Sequence, residues 1–512
     1  MYTYNQLYFQ YKKLYSSYLK KIIPILNDFH EKQYDKNYWE PIIGLYLRRF
    51  LSNFIFLKKK IKKKKLYKNV KFKDIQFYKN YREFASSYDF ENIDKKYFYK
   101  FNTNQTFKKY RINEINFFQS ISNSIKIFFI NFFIKLKITK VLFYESYFKK
   151  NLKRVFYLKT FFYLNSLPSL KFENYKIDKL KIFKNRLSII NREEFNKDLI
   201  LKNILFFMPI NYLENYEPIH RGVKKINLTN AIYIDGNEVS FDFIKFYMAL
   251  IKLNKKKILT GQHSLRSGLE DYDIYFDYTK SISNYFLTWG WSNKYENTYK
   301  FSSLRIFSSF NKYKKLKKIE TKNFNTCFIL CSFSIIGECL NDNINENKKA
   351  EKSRIDLLKK LKKVDENKIV LKPRTGSFIL QSQKSQYKKF EILKEKTRMY
   401  EILRKYDIII FERVSLGIVE CIYLDQPTII YYPKSLYQET NNNYKELIFQ
   451  LKKANIYFDD PKKVLKIVNS KQSVYEWWYK EKNILNRKKV LKNFASKFEY
   501  SDLKRIKKLT EF

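Results

Sequence analysis

From about residue 200 onward, short apolar runs alternate with stretches of helical period, and this alternation constrains the fold more than any single motif. The candidate strands are Leu201–Phe207, Ala231–Ile234, Lys257–Thr260, Tyr285–Thr288, Cys327–Cys331, Lys368–Leu371, Asp407–Phe411 and Pro427–Tyr432. Between them lie candidate helices at Phe241–Leu253, Arg354–Leu361, Lys389–Lys405, Tyr444–Lys453 and Pro461–Val468. Strand, helix, strand alternation implies parallel sheets with right-handed crossovers. The strands near 230–290 and those near 327–432 are expected to form two separate sheets. Asn311 to Asn325 reads as the linker between them, and Asn341 to Lys352 as a surface loop. Upstream, residues 1 to about 165 read as mainly helical, with apolar residues at three- and four-residue spacing in Tyr8–Leu26 and Tyr38–Phe56. The end, Val474 to Phe512, reads as helical and basic. The expected domains are therefore 1–318, 319–470 and a basic helical tail, 471–512.

Glycine is scarce, with nine in 512 residues, so those that remain mark places where the backbone needs positive φ or a close approach. Five of them, Gly261, Gly268, Gly290, Gly376 and Gly417, fall just past a candidate strand or in the loop after it. Ligands of open α/β sheets bind outside the carboxyl ends of the strands. The placement points to a ligand cleft there, although ordinary tight turns use glycine in the same way.

Three segments at those strand ends carry chemistry. Thr260-Gly261-Gln262-His263 puts a Gln-His pair on the turn after a strand. An imidazole titrates near neutrality and suits a general base or a phosphate contact, so His263 is the candidate catalytic residue; a hydrogen-bonded structural histidine fits the same position. Leu371-Lys372-Pro373-Arg374-Thr375-Gly376 ends a strand in two cations, a point charge and a bidentate fork for phosphate oxygens. Asp407 to Glu420 is a buried strand, a turn with Ser415 and Gly417, and then a helix whose free N–H groups can face an anion. Glu420 could accept from ribose hydroxyls there. The plainer alternatives are Ser415 as a helix cap and Glu420 as a partner for a lysine. Gln262, Lys372, Arg374, Ser415, Gly417 and Glu420 are thus the candidate substrate- or nucleotide-binding residues. Asp271-Tyr272-Asp273 has the spacing of a metal-binding pair but does not sit at a strand end, and no metal is expected. No P-loop and no GxGxxG is present, which argues against a nucleoside triphosphatase or a dinucleotide oxidoreductase.

Composition matters at three points. The 102 Lys and Arg against 50 Asp and Glu leave a formal net charge of +52, which would attract nucleic acid, anionic lipid or acidic sugars at low salt. The 44 Tyr and 47 Phe are spread evenly instead of clustering on one small sheet, so the whole bias reads as drift towards A/T-rich codons. The densest basic run, Lys58 to Lys65, is a candidate membrane or nucleic-acid contact or a solvated helix end. Four cysteines without a CxxC pair fit a reducing compartment. The N-terminus lacks a signal-peptide layout, and Ile125 to Leu136, interrupted by lysines and too short to span a bilayer, reads as a core helix.

Taken together, the motifs resemble a family of transferases found in lipopolysaccharide and other surface-polysaccharide gene clusters, similar to GT-B glycosyltransferases. Leu26-Asn27-Asp28-Phe29-His30 with Tyr38-Trp39 and Ile42-Ile43-Gly44 carry the likeness near the start. In the middle it rests on Pro209, Tyr212-Leu213-Glu214, Phe243-Ile244-Lys245-Phe246, Gly261-Gln262-His263 and Thr288-Trp289-Gly290-Trp291, and later on Leu371-Lys372-Pro373 and the Ser415-to-Pro427 segment. The sequence departs from the family pattern at Ser264-Leu265, where two glycines are usual, at Arg374, where His is usual, and around Glu412-Arg413.

The resemblance implies an α/β fold with two Rossmann-like domains facing a cleft behind a largely helical N-terminal region. It implies group transfer from a nucleotide-activated donor to a carbohydrate or lipid-linked acceptor, with no cofactor besides that donor. The expected location is cytoplasmic, with peripheral contact to an anionic inner membrane and no specific nucleic acid. A nucleic-acid-binding protein and a non-catalytic membrane-surface scaffold are the alternatives.

Overall fold

The computed structural model describes residues 4–60, 68–69, 77–86, 99–100, 117–144, 160, 162–167, 179–192, 198–269, 273–292, 297–313, 324–330, 344–364, 368–373, 387–394, 397–432, 442–499 and 501–511. Within them, the alternation read from the sequence becomes two six-stranded sheets in which every pairing is parallel. The first contains β1 (Val141–Tyr144), β2 (Leu164–Ser166), β3 (Ala231–Asp235), β4 (Lys257–Gly261), β5 (Tyr285–Thr288) and β6 (Thr298–Lys300), in the order β2-β1-β3-β4-β5-β6. The second contains β7 (Asn325–Leu330), β8 (Lys368–Pro373), β9 (Glu391–Ile392), β10 (Ile408–Phe411), β11 (Thr428–Tyr431) and β12 (Tyr457–Phe458), in the order β9-β8-β7-β10-β11-β12. Both are doubly wound orders that reverse direction once, between β1 and β3 in the first sheet and between β7 and β10 in the second. Two Rossmann-like units behind a helical N-terminal region is the architecture the resemblance implies.

The central strands are continuous apolar runs because helices cover both faces. Ile408–Phe411 is buried at all four positions, which stabilises the sheet by roughly 2 kcal/mol per side chain. Alternation divides the second sheet cleanly. Cys327, Ile329, Ile409, Phe411 and Ile430 face one cluster, while Phe328, Leu330, Ile408, Ile410 and Ile429 face another. On the first sheet, the helices α1 (Tyr4–His30), α2 (Lys36–Lys60), α3 (Leu199–Phe207), α4 (Tyr216–Lys224), α5 (Asp242–Leu253) and α6 (Ile274–Ile282) build one large core with residues of β1 and β3.

Five expectations need correction. Leu201–Phe207 is helical, within α3, where Asp198 accepts from the Leu201 N–H at 3.0 Å and so caps the N-terminus; a short apolar run alone does not distinguish a buried strand from a helix. Lys389–Lys405 is not one helix but the edge strand β9, paired to β8, followed by the short helix Met399–Ile402. The expected loop at Asn341–Lys352 lies from Ile344 on within a helix, Ile344–Leu361. Two short strands, β1 and β2, join the first sheet from the region read as helical. The helix Phe117–Lys135 exists, but only one face of it belongs to the core: Ile127, Ile130 and Ile134 pack inward, while Ile125, Phe128, Phe129 and Phe132 are exposed. The boundary expected at 318 and residues 61–65 of the basic run lie outside the described residues.

The terminal segment does not stand apart as a tail. The helix Leu304–Tyr313 leads out of the first unit, and the helices Glu481–Phe494 and Asp502–Glu511 lead back to it. The Ser496 N–H donates to the Trp289 carbonyl at 2.9 Å, the Ser303 N–H donates to the Ser496 carbonyl at 2.8 Å, and Lys257 Nζ donates to the Leu509 carbonyl at 3.2 Å. Phe498, Ile506 and Leu509 share a cluster with Phe143, Tyr233, Leu259 and Leu287 of the first sheet.

Candidate functional site

The site is assembled from strand ends. Register places Asp235, Gly261 and Leu287 level across β3, β4 and β5, so the Gln262-His263 turn leaves the first sheet at its carboxyl edge. In the second sheet Lys372 is level with Ile329, which is level with Phe411. Lys372 and the Glu412-to-Ser415 turn therefore leave the same edge, and that turn flanks the point where the strand order reverses.

One hydrophobic cluster joins the two edges. It contains Leu265, Trp289, Trp291 and Ile306 from the first unit and Ile409, Phe411, Val414 and Ile418 from the second. The helix Leu304–Tyr313 also packs against the helix Leu416–Tyr423, whose N-cap position is Ser415. The loop after β4 and the helix after β10 are thus brought to a common core.

Gln262 has a different task from the one expected. It is fully buried, and its Oε1 accepts from the Trp289 N–H and from Trp291 Nε1, both at 2.8 Å, while its Nε2 donates to the Ser264 carbonyl at 2.7 Å. It clamps the turn after β5 from inside and presents no surface to a substrate. Gly290 completes that turn with φ +116, and a Cβ there would meet the Lys492 carbonyl at 2.8 Å. Trp289 and Trp291 are buried in the shared cluster.

His263 is half-buried, and Arg305 on the helix Leu304–Tyr313 holds it. Arg305 Nη1 donates to the His263 carbonyl at 3.2 Å and lies 3.4 Å from Nδ1. A guanidinium can only donate, so this contact favours the tautomer with a bare Nδ1 and a proton on Nε2. Such a ring is neutral and offers an N–H to an anion, beside the Arg305 cation. Arg305 escaped the sequence reading because nothing in its helix marks it apart from other surface arginines.

Lys372 is buried on the face of β8 that shares its cluster with Cys327 and Phe411, and its Nζ donates to the Pro373 carbonyl at 2.7 Å. Burial pushes the neighbouring Cys327 thiol up to about 12, with the Lys372 charge acting against it. Arg374 lies outside the described residues. Ser415 occupies the N-cap position with extended backbone but makes no side-chain cap bond. At Gly417 a Cβ would lie 2.8 Å from the Phe411 ring, so glycine here lets the helix approach its own strand, as the third glycine of a dinucleotide fold does. Glu420 is buried one turn further in. Asp273 is spent on capping α6, accepting from the Tyr275 and Phe276 N–H groups at 3.0 Å. Among the described residues no group of three or more His, Cys, Asp or Glu could hold a metal.

A second polar group, missed in the sequence, stands where the first sheet reverses. After β3 the turn Gly236–Ser240 leads into α5. Asp242 accepts from Tyr212 Oη at 2.7 Å and from Asn211 Nδ2 at 2.9 Å, and the buried Lys245 donates to Tyr212 Oη at 2.5 Å. Burial pulls the Lys245 amine down to about 8. Arg82 lies 3.5 Å from the centre of the Phe241 ring, donates to Ser240 Oγ at 2.9 Å and approaches Glu238 at 4.0 Å. The signal was present in Tyr212 and Lys245, both within the stretches that carry the family likeness.

Among solved structures, the chain is similar to Acinetobacter baumannii MurG (10% identity, 72% of this chain and 98% of that one, TM-score 0.35). It is also similar to the wall teichoic acid polymerase TagF, soaked with CDPG (11%, 77% and 96%, 0.35), and to the spinosyn rhamnosyltransferase SpnG bound to spinosyn aglycone (8%, 72% and 100%, 0.30). At such scores these likenesses carry no weight for the chemistry, and the fold rests on the strand orders above. No curated protein matches the sequence. The family model does: it spans residues 3–509, nearly the whole chain, and with both Rossmann-like units in place the protein belongs to the LIC12162 family transferases.

Proposed function

We propose that this transferase moves a glycosyl or closely related group from a nucleotide-activated donor to a precursor of cell-surface carbohydrate. The observation that carries the reading is the register that sets Lys372 and the Ser415 turn at the carboxyl edge of the second sheet, beside its reversal point. That is where doubly wound sheets bind nucleotides. The donor's nucleotide is assigned to the second unit, with the N-terminus of the helix Leu416–Tyr423, Ser415 and Glu420 orienting it, and the acceptor to the first.

In the transfer, an acceptor hydroxyl oxygen forms the new bond to the donor carbon as the bond from that carbon to the diphosphate breaks. The electron pair leaves on the diphosphate oxygen, and the proton of the acceptor hydroxyl passes to solvent. Lys372 and Arg374 meet the charge that develops there, a preorganised electrostatic contribution. The Arg305 contact on Nδ1 favours His263 as an N–H donor to a phosphate oxygen in this reading, and base catalysis by His263 requires the other tautomer. Gln262 positions this turn from within. The donor is a substrate, and the reading calls for no resident cofactor.

The test is calorimetry with UDP, CDP, GDP and CMP at about 0.15 M salt, which screens the bulk charge. Base-selective binding that Lys372→Ala/Arg374→Ala abolishes supports the reading. Weak binding that is equal across bases and indifferent to the double variant overturns it.

A further inference from the structure

The helix Phe117–Lys135 carries two apolar faces where a protein of this kind needs one. Ile127, Ile130 and Ile134 pack on the core of the first unit, and Asn131 fastens the helix by donating to the Lys225 carbonyl at 2.7 Å and accepting from the Asn227 N–H at 2.8 Å. On the opposite side Ile125, Phe128, Phe129, Phe132 and Leu136 are 52%, 66%, 56%, 49% and 53% exposed. At 3.6 residues per turn these five fall within an arc of about 100°. Their side chains form a contiguous patch, unlike apolar residues scattered singly over a surface.

The flanks identify the occupant. Lys126 and Lys135 border the arc on either side, and the exposed Lys137 follows it. Residues 124–140 hold four lysines and no aspartate or glutamate. A second copy of the chain would bring the same lysines and the same net charge of +52 against this face. An anionic bilayer instead matches both features, since phenylalanine rings seat at the acyl boundary while lysines reach the headgroups. Among the described residues no helix is long and apolar enough to cross a membrane, so the contact is interfacial.

We infer that this helix is a membrane-docking element that lies in the surface of an anionic bilayer, with Phe128, Phe129 and Phe132 inserted and Lys126, Lys135 and Lys137 on the headgroups. This inference is independent of the transfer reading, because it concerns where the first unit rests and not what it transfers.

The experiment is co-sedimentation of the full chain with phosphatidylcholine vesicles containing about 30% phosphatidylglycerol, at about 0.15 M salt so that only close charges act. The expected result is binding that falls about tenfold or more in Phe128→Ser/Phe129→Ser/Phe132→Ser, with an unchanged melting curve because these rings are exposed. In a Phe129→Trp variant the indole emission should shift to the blue on the same vesicles and be quenched by brominated acyl chains. Undiminished binding by the triple variant would mean that bulk charge alone holds the protein, and it overturns the inference. So does an indole that stays in water, or a chain that ignores the vesicles while the triple variant dissociates a dimer in sedimentation velocity.

Discussion

The two Rossmann-like units solve the same architectural problem with different interiors. The second is largely aliphatic, with Ile, Leu and Val on both faces of its sheet and an ion pair of Arg354 with Glu412 beneath one of them. The first is threaded with buried polar groups. Arg186 holds Glu214 through two bonds of 2.8 Å, and Arg48 pairs with Glu40 at 3.3 Å beneath Tyr15. Tyr38 Oη lies 2.7 Å from Tyr216 Oη and 2.6 Å from His220 Nδ1, and His30 stacks on Tyr216 while its Nε2 lies 3.0 Å from the Tyr212 carbonyl. Asn27 binds both the Tyr34 backbone and Trp39 Nε1. Asn27, His30, Tyr38, Trp39, Tyr212 and Glu214, all among the early and middle residues that carry the family likeness, belong to this network. The comparison teaches that a motif can be a specification for packing long helices against a sheet, and that the chemistry then sits at strand ends nearby.

The sharpest way to break that contrast is to empty one partner of a buried pair. Glu214→Ala leaves the Arg186 guanidinium buried without its carboxylate and should cost about 3–5 kcal/mol in urea unfolding; a loss below about 1 kcal/mol would show that the first unit does not depend on its polar interior. In the second unit the corresponding damage is a cavity. Ile410→Ala should cost about 2–5 kcal/mol, with little dependence on pH.

The first unit, by contrast, should be pH-sensitive. Burial holds both His30 and His220 down at about 4. An unfolded imidazole takes its proton near 6.5, so the stabilisation is complete above that pH and is lost as the pH falls from 6.5 towards 4. The loss is about 3 kcal/mol per ring at most. Unfolding curves at pH 7.5 and 4.5 should show the loss, and a His220→Gln variant should show a smaller one; equal slopes would assign it to carboxylates.

Smaller effects separate packing from function at the candidate site. Gly417→Ala drives a methyl against the Phe411 ring and should cost about 1–3 kcal/mol. Ser415→Ala removes no cap bond, so its stability should stay within about 0.5 kcal/mol of the parent while nucleotide binding weakens. A loss of stability larger than that would restore Ser415 as an ordinary cap.

The central strands of the second unit were legible because they are uninterrupted apolar runs bounded by turns, as at Asp407 to Ser415, and a parallel sheet demands that pattern; its two-residue edge strands β9 and β12 carry no such run and were missed. The first unit was harder to read. Its β1 and β2 are only four and three residues long, too short for periodicity to show, and α3 is a short apolar run whose capping Asp198 is the sole sign that it is helical. At the site, His263, Lys372 and Ser415 could be placed at strand ends from the order of elements. Nothing local revealed that Gln262 faces inward, because its partners Trp289 and Trp291 come from the neighbouring strand. Arg305 reaches His263 across 42 residues, a contact that only the fold creates.

The return of the helix Asp502–Glu511 to the first sheet sets an order of events during synthesis. Phe498, Ile506 and Leu509 complete a core whose other members include Val141, Leu164 and Ala231. A ribosome releases residue 506 well after the first unit's strands have emerged, at about 5–20 residues per second. Until then that face of the first sheet stays open, while the second unit, made later, already has its aliphatic strands in hand. The first unit is thus the last to close, and its sheet, complete by residue 300, keeps that apolar face open until the helix Asp502–Glu511 has been made.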